Sequence, residues 1–316
     1  MTALDRLATR LERELGPRLH RSASIGVLTT YRVGGSAALL AEVESVDDLR
    51  RLGAAVAEEA PQIELLIVGR GSNLLVADAG FGGLAVRLGE GLATMVPEGE
   101  ILRAGGAAAL PVVARRSVAA GLTGFEWAVG VPGTIGGAVR MNAGGHGSDM
   151  AASVRGVHVI DLRSGEDSEM DPAALEFGYR RSAIRSEQVV VECRLQLARG
   201  DRATGEATLA EIVRWRRDHQ PGGANAGSVF TNPVGDSAGR LIDALGLKGL
   251  RIGTAEVSTK HANFIQADAE GRADDIVAVM TEVRARVLEA SGVDLRAETH
   301  LIGFAPEVAA AAGVHP

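Results

Sequence analysis

Nineteen glycines crowd the stretch between Gly69 and Gly147. Glycine gives up more conformational freedom on folding than any other residue, so a segment this rich in it is a poor helix or strand former. Over the whole chain glycine makes up 41 of 316 residues, or 13%, where about 7% is usual. Two readings follow: a series of tight turns between strands, or backbone drawn close against a ligand.

Three clusters carry the argument: Tyr31-Arg32-Val33-Gly34-Gly35, Val68-Gly69-Arg70-Gly71-Ser72-Asn73-Leu74-Leu75-Val76, and Gly130-Val131-Pro132-Gly133-Thr134-Ile135-Gly136-Gly137. The second follows the β-rich run Ile63-Glu64-Leu65-Leu66-Ile67-Val68, as a dinucleotide-binding turn would, but G-x-G-x-x-G needs glycine where Leu74 stands. A Rossmann domain is therefore disfavoured, and no G-x-x-x-x-G-K-[ST] phosphate loop occurs. What is left is a loop of small residues whose N–H groups form an anion-binding nest. Ser72 and Asn73 add side-chain donors and Arg70 a charge, which makes pyrophosphate the natural guest.

Composition narrows the class. Apolar residues at 46% and charged residues at 23% describe an ordinary globular chain, and this length suggests two or three domains. A net charge of −7, no Lys/Arg block and only 3% aromatics argue against a nucleic-acid partner. The one cysteine, Cys193, excludes an intramolecular disulfide and multi-cysteine metal sites, and its apolar neighbours make it a buried thiol. The histidines show no metal-ligand spacing, so no metal is expected, and His261 is expected to be a hydrogen-bonding core residue. No apolar run approaches the ~20 residues that span a bilayer and no leader pattern opens the chain, so a cytoplasmic protein without membrane insertion is expected. No obligatory protein partner is expected either.

Periodicity sets the organisation. Leu4, Leu7, Leu11 and Leu15 predict an opening amphipathic helix. Residues 29–43 read as strand, glycine pair, strand, and Ser45-Val46-Asp47-Asp48 as a capping box for a helix to about 59. Pro111 and Gly121 bracket a helix, 157–162 and 188–197 read as strands, and Gly82, Gly83, Gly89 and Gly91 as strand turns. A polar stretch over 199–205 suggests a linker, followed by a helix to about 219 and a second over 273–291 that stops at Gly292. The alanine-rich tail after Phe304 is expected to fray. The expected division is 1–199, with α/β subdomains of about 20–90 and 91–199, and 200–316.

Further motifs complete an ordered set: Phe177-Gly178-Tyr179-Arg180-Arg181-Ser182, Ala226-Gly227-Ser228-Val229-Phe230-Thr231-Asn232-Pro233 and Lys260-His261-Ala262-Asn263-Phe264. Together with the glycine clusters, over about 25–303, they resemble the UDP-N-acetylenolpyruvoylglucosamine reductase family. Only Gly222-Gly223-Ala224-Asn225-Ala226-Gly227 separates Gln220-Pro221 from Ser228, so the chain is similar to the shorter subgroup that lacks an extra tyrosine-bearing loop. The resemblance implies an α+β protein. Its parts would be a vanillyl-alcohol-oxidase-type FAD-binding fold in two α/β subdomains and a C-terminal α+β substrate-binding domain. It implies an NADPH-dependent oxidoreductase with non-covalent FAD, which reduces the enolpyruvyl double bond of UDP-N-acetylglucosamine enolpyruvate to UDP-N-acetylmuramate in peptidoglycan precursor synthesis.

Site residues follow from the resemblance. Tyr31, Arg32, Gly34, Gly69, Arg70, Gly71, Ser72, Asn73, Leu74, Gly130, Val131, Pro132, Gly133, Thr134, Gly136, Gly137 and Asn142 would line FAD, with the 69–75 loop around its pyrophosphate. Arg180, Ser228 and Glu298 would be catalytic, and Tyr179 and Arg216 would contact substrate. A guanidinium bonds a carboxylate bidentately and stabilises charge developing on it, which is the part expected of Arg180. Ser228 would donate the proton, and Glu298 would orient the substrate carboxyl or bond the enol intermediate. On the residues alone, Arg180 reads as part of a polar strand edge, Ser228 as a turn hydroxyl and Glu298 as a surface charge. His219 and Asn263 depart from the family's pattern. Two other readings stay open: an FAD-dependent oxidase or dehydrogenase on the same scaffold, and a non-catalytic nucleotide-sugar-binding module.

Overall fold

Burial follows the leucine period at the start of the chain: in the helix Ala3–Leu15, Leu7, Ala8, Leu11 and Leu15 are buried. Thr2 caps it, its hydroxyl accepting from Asp5 N while Asp5 Oδ2 accepts from Thr2 N at 2.9 Å. This computed structural model describes residues 1–315. Its fold is α+β. The chain forms two compact units, 1–21 with 39–70 and 83–216, and 22–38 with 71–82 and 217–316.

In the first unit the opening helix packs with the helix Val46–Glu59 over a core that includes Leu49, Leu52, Val56, Leu84 and Val86. Leu65–Val68 and the 84–87 part of Phe81–Leu88 pair in parallel, Leu65 opposite Leu84 and Val68 opposite Arg87. Gly83 therefore lies inside a strand, and Gly82 with it, rather than in turns. A second sheet runs in the order Asp167–Met170, Val154–Asp161, Gln188–Gln196, Ile101–Gly105, Met95–Glu98, all antiparallel. The helices Leu110–Ala119 and Ile135–Met141 share its core with Cys193, which stands opposite Val157 on one side and Ala104 on the other. Burial pushes the Cys193 thiol up, as a structural thiol requires.

The expected capping box at Ser45 forms only in part. Ser45 Oγ accepts from Asp48 N at 3.1 Å, but the Asp48 carboxylate reaches one residue further back, to Glu44 N at 2.9 Å, and pairs with Arg18. The polar 199–205 stretch is not an open linker either, because the helix Arg202–His219 starts inside it and buries Gly205, Leu209 and Ile212. The units part within that helix, at Arg216, and the second unit also takes 22–38 and 71–82.

The second unit holds an antiparallel sheet of Arg251–Ile252, Ala255–Val257 and Ile265–Ala267 against the helix Ala273–Ser291, whose apolar face is the expected one. The 71–82 segment enters this unit as the strand Leu74–Val76, parallel to His300–Ile302, with Leu75 opposite Leu301. It also caps the long helix from outside: Ala273 N and Asp274 N donate to the Asp78 carboxylate at 3.0 and 3.2 Å. Residues 29–35 form no strand, and only Ser36–Val43 does. Arg32 has φ 59 and Gly34 φ 104, which breaks any pleat. The tail after Phe304 is ordered as the helix Pro306–Ala311, and Ala312 is fully buried.

Candidate functional site

Each unit carries part of the expected site. In the first, the chain leaves Val68 into Gly69, where a Cβ would stand 2.7 Å from Thr134 Oγ1. Thr134 is the N-cap of Ile135–Met141, its hydroxyl accepting from Gly137 N at 3.4 Å. Gly136 N donates to Gly106 O at 2.9 Å, and a Cβ on Gly106 would fall 1.9 Å from Val190 O. A cavity of about 150 Å³ lies here, lined by Gly69, Gly106, Thr134, Gly136 and Gly137 together with Arg70, Arg87, Arg140 and Glu90.

Three guanidinium groups to one carboxylate suit an anionic guest. Arg140 is half-buried, donates to Arg185 O at 3.2 Å, and burial holds its guanidinium below the ordinary range. The buried Trp127 Nε1 has no hydrogen-bond partner among the described residues. Glycine backbone and three cationic side chains around one cavity fit a phosphate-bearing cofactor such as FAD.

Asn142 ends the helix in the left-handed region, φ 40. Its side chain is a clamp: Nδ2 donates to Gly178 O at 3.0 Å and to Asp149 Oδ2 at 3.2 Å, and Oδ1 accepts from Ala151 N at 3.0 Å. The clamp holds the turn that carries Tyr179 and Arg180. Arg180 has φ 56, a conformation that costs a non-glycine residue energy and that clusters at functional sites. Its Nη2 donates to Gly144 O at 3.4 Å, and its guanidinium carbon lies 5.2 Å from the centre of the exposed Tyr179 ring. Arg216 lies over Gly130, whose Cβ would meet Arg216 Cδ at 3.1 Å, and burial lowers its pKa.

In the second unit Gly71 has φ 60, and a Cβ there would meet Leu28 O at 2.6 Å. The expected nest of donors is altered. Asn73 Nδ2 donates to Glu298 O at 3.0 Å and Asn73 O accepts from His300 N at 3.0 Å, so one of the amide's two donors is engaged within the protein. Leu74 is a strand residue. Tyr31 is fully buried among Val33, Leu75, Ala226, Val229 and Phe230, its hydroxyl near the Ala226 backbone but in no well-formed hydrogen bond. The ring has no exposed surface, so within this unit its side chain packs as a core residue.

The same unit brings Ser228 and Glu298 onto neighbouring segments. Glu298 N donates to Val229 O at 2.7 Å, and Phe230 bridges to Ala297. Both residues are partly exposed. The sequence reading missed Gly106, whose signal was the glycine pair 105–106, and left the part played by Asn263 open. Asn263 proves to be buried against Val229 and Phe230. His261 Nδ1 accepts from Asn263 N at 3.2 Å, as a neutral imidazole can, and burial lowers its pKa.

Comparisons with known proteins agree with this architecture. Residues 37–169 match the model of an FAD binding domain, and 219–302 that of the UDP-N-acetylenolpyruvoylglucosamine reductase C-terminal domain. The chain is 42% identical over 289 residues to the UDP-N-acetylenolpyruvoylglucosamine reductase of Paramagnetospirillum magneticum, covering 91% of this chain and 92% of that protein. It is 42% identical to the same-named protein of Synechococcus sp. (strain RCC307) over 300 residues, 93% of this chain and 97% of that one. The crystal structure of the Thermus caldophilus reductase superposes with a TM-score of 0.78 at 35% identity, over 90% of this chain and 99% of that one.

Proposed function

The chain belongs to the UDP-N-acetylenolpyruvoylglucosamine reductase family and is an FAD-dependent oxidoreductase of peptidoglycan biosynthesis, and from that premise we propose how its residues divide the work. Its substrate is UDP-N-acetylglucosamine enolpyruvate and its reductant NADPH. Bound FAD supplies hydride transfer from the nicotinamide to the enolpyruvyl double bond. Gly69, Gly136, Gly137, Arg70 and Arg140 hold the cofactor, since they line the cavity that side chains leave open. On the family's pattern we assign to the same cofactor the backbone of Gly34, Gly71 and Gly130-Val131-Pro132-Gly133 and the polar atoms of Arg32 and Ser72.

Hydride arriving at the terminal alkene carbon leaves negative charge on its neighbour and the attached carboxylate. Arg180 binds that carboxylate and favours the transition state as charge builds. Ser228 Oγ gives its proton to the neighbouring carbon, and Glu298 orients the substrate carboxyl beside it. Tyr179 and Arg216 contact the nucleotide-sugar, Arg216 at its diphosphate. No described helix is long and apolar enough to cross a membrane, and we place the reaction in the cytoplasm, where NADPH is supplied.

The observation that carries this reading is the 2.7 Å bond from Glu298 N to Val229 O, which sets the residue after Ser228 beside Glu298. Anaerobic stopped-flow on Ser228→Ala tests it. NADPH should bleach the flavin at the wild-type rate, while the enolpyruvyl sugar no longer restores its colour. Equal slowing of both halves would remove Ser228 as proton donor, and peroxide release driven by substrate would point to an oxidase.

A further inference from the structure

Ser228 sits in a segment that two asparagines hold. Before it, Gly227 takes φ 78 and its N–H donates to Asn225 Oδ1 at 3.0 Å. After it, Phe230 N donates to Asn263 Oδ1 at 3.0 Å and Asn263 Nδ2 donates to Phe230 O at 2.8 Å. Val229 N donates to Asn263 O at 2.9 Å. One side-chain amide therefore serves both backbone groups of Phe230, as a neighbouring strand would. Asn263 is 4% exposed and Phe230 1%, so water cannot replace these bonds when they are lost.

The clamp extends to the second catalytic candidate. Val229 O, on the residue between Ser228 and Phe230, accepts from Glu298 N at 2.7 Å and from Thr299 N at 3.3 Å. Asn73 holds Glu298 from its other side through the Glu298 carbonyl.

We propose that Asn263 is the positioning residue of the protonation step: by pairing with both backbone groups of Phe230 it holds Val229, and through Val229 it sets Ser228 against Glu298. The inference rests on Ser228 being the proton donor. A residue with this part affects the half-reaction that needs Ser228 and spares the one that does not.

Asn263→Asp tests it without removing the side chain. A protonated carboxyl reproduces the amide, its O–H donating to Phe230 O while its carbonyl accepts from Phe230 N. An ionised one turns an oxygen lone pair against Phe230 O, and burial keeps it protonated to higher pH than an exposed aspartate. The half-reaction with the enolpyruvyl sugar, measured after reduction by NADPH, should fall about ten- to a hundredfold on the alkaline side and recover as pH is lowered. Flavin reduction by NADPH should track wild type throughout. His261 touches Asn263, and Lys248 and Asp243 act on that imidazole. Wild type carries all three, so its pH profile is the reference.

Asn263→Ala should show the same slow half-reaction without recovery at low pH. Flat pH dependence in Asn263→Asp with both half-reactions slowed alike would overturn the inference. A defective Ser228→Ala beside an unaffected Asn263→Asp overturns it alone. A Ser228→Ala variant with a full second half-reaction overturns the proton-donor reading, and this inference with it.

Discussion

Gly69→Ala puts a methyl carbon into the lining of the first unit's cavity, against Thr134. The new Cβ would lie 2.7 Å from Thr134 Oγ1, 3.5 Å from its Cγ2 and 3.7 Å from its Cβ. Only the hydroxyl is inside contact distance, so Thr134 rotates it away and gives up its bond to Gly137 N, 3.4 Å in the native cap. Losing an N-cap hydroxyl costs about 1 kcal/mol. Thr134→Ala loses the same cap, and in that background the Cβ of residue 134 stands at 3.7 Å, an ordinary contact. Gly69→Ala should then cost nothing further, so the penalty of the double variant should fall about 1 kcal/mol short of the sum of the two single penalties. Both tryptophans, Trp127 and Trp215, belong to the first unit. Urea unfolding of flavin-free protein followed by tryptophan fluorescence therefore reports this site, and flavin fluorescence gives the matching change in FAD affinity. Penalties that add within about 0.3 kcal/mol would refute the contact and with it the account of why Gly69 is glycine.

Two further outcomes follow from named groups. Arg18 beside Asp48 holds its carboxyl down at about 2, against an ordinary 3.8, in a site where Asp48 is 5% exposed. A depressed carboxyl adds stability above its unfolded pKa and loses it as pH falls through the folded one, so Asp48→Asn should cost about 2 kcal/mol near pH 7 and converge on wild type near pH 2; parallel urea-stability curves would exclude this. Tyr31→Phe removes a buried hydroxyl in no well-formed hydrogen bond, from a phenol that burial pushes up, so stability should change by less than about 1 kcal/mol and the protein should purify yellow. A colourless protein would return Tyr31 to the cofactor.

Local signals were legible wherever one element settles its own geometry. The leucine spacing of 4–15, Pro111 with Gly121, and the apolar face of 273–291 with Gly292 behind it each give a helix at the expected place, because helix period and caps are read within a few residues. The order of the motifs sufficed for the family. What failed depended on distant partners. The stretch 29–35 has strand-like residues but turns left-handed at Arg32 and Gly34, where a Cβ on Gly34 would strike Val76 O at 2.2 Å. The polar 199–205 stretch turns helical from Arg202, where Gly205 lets the helix close on Val118.

The candidate site divides in the same way. By itself the sequence determined the family and nominated the residues for its chemistry, because Arg180, Ser228, Glu298 and the glycines are a matter of residue type and order. Only the tertiary structure decided what each does with its neighbours. Asn73 donates to the Glu298 carbonyl, Asn142 clamps the Arg180 turn, Tyr31 is buried in the core, and Asn263 stands in for a strand beside Phe230. A polar side chain buried by a fold must find its partner there, and that partner is set by residues as far apart as Asn73 and Glu298, which no local pattern encodes.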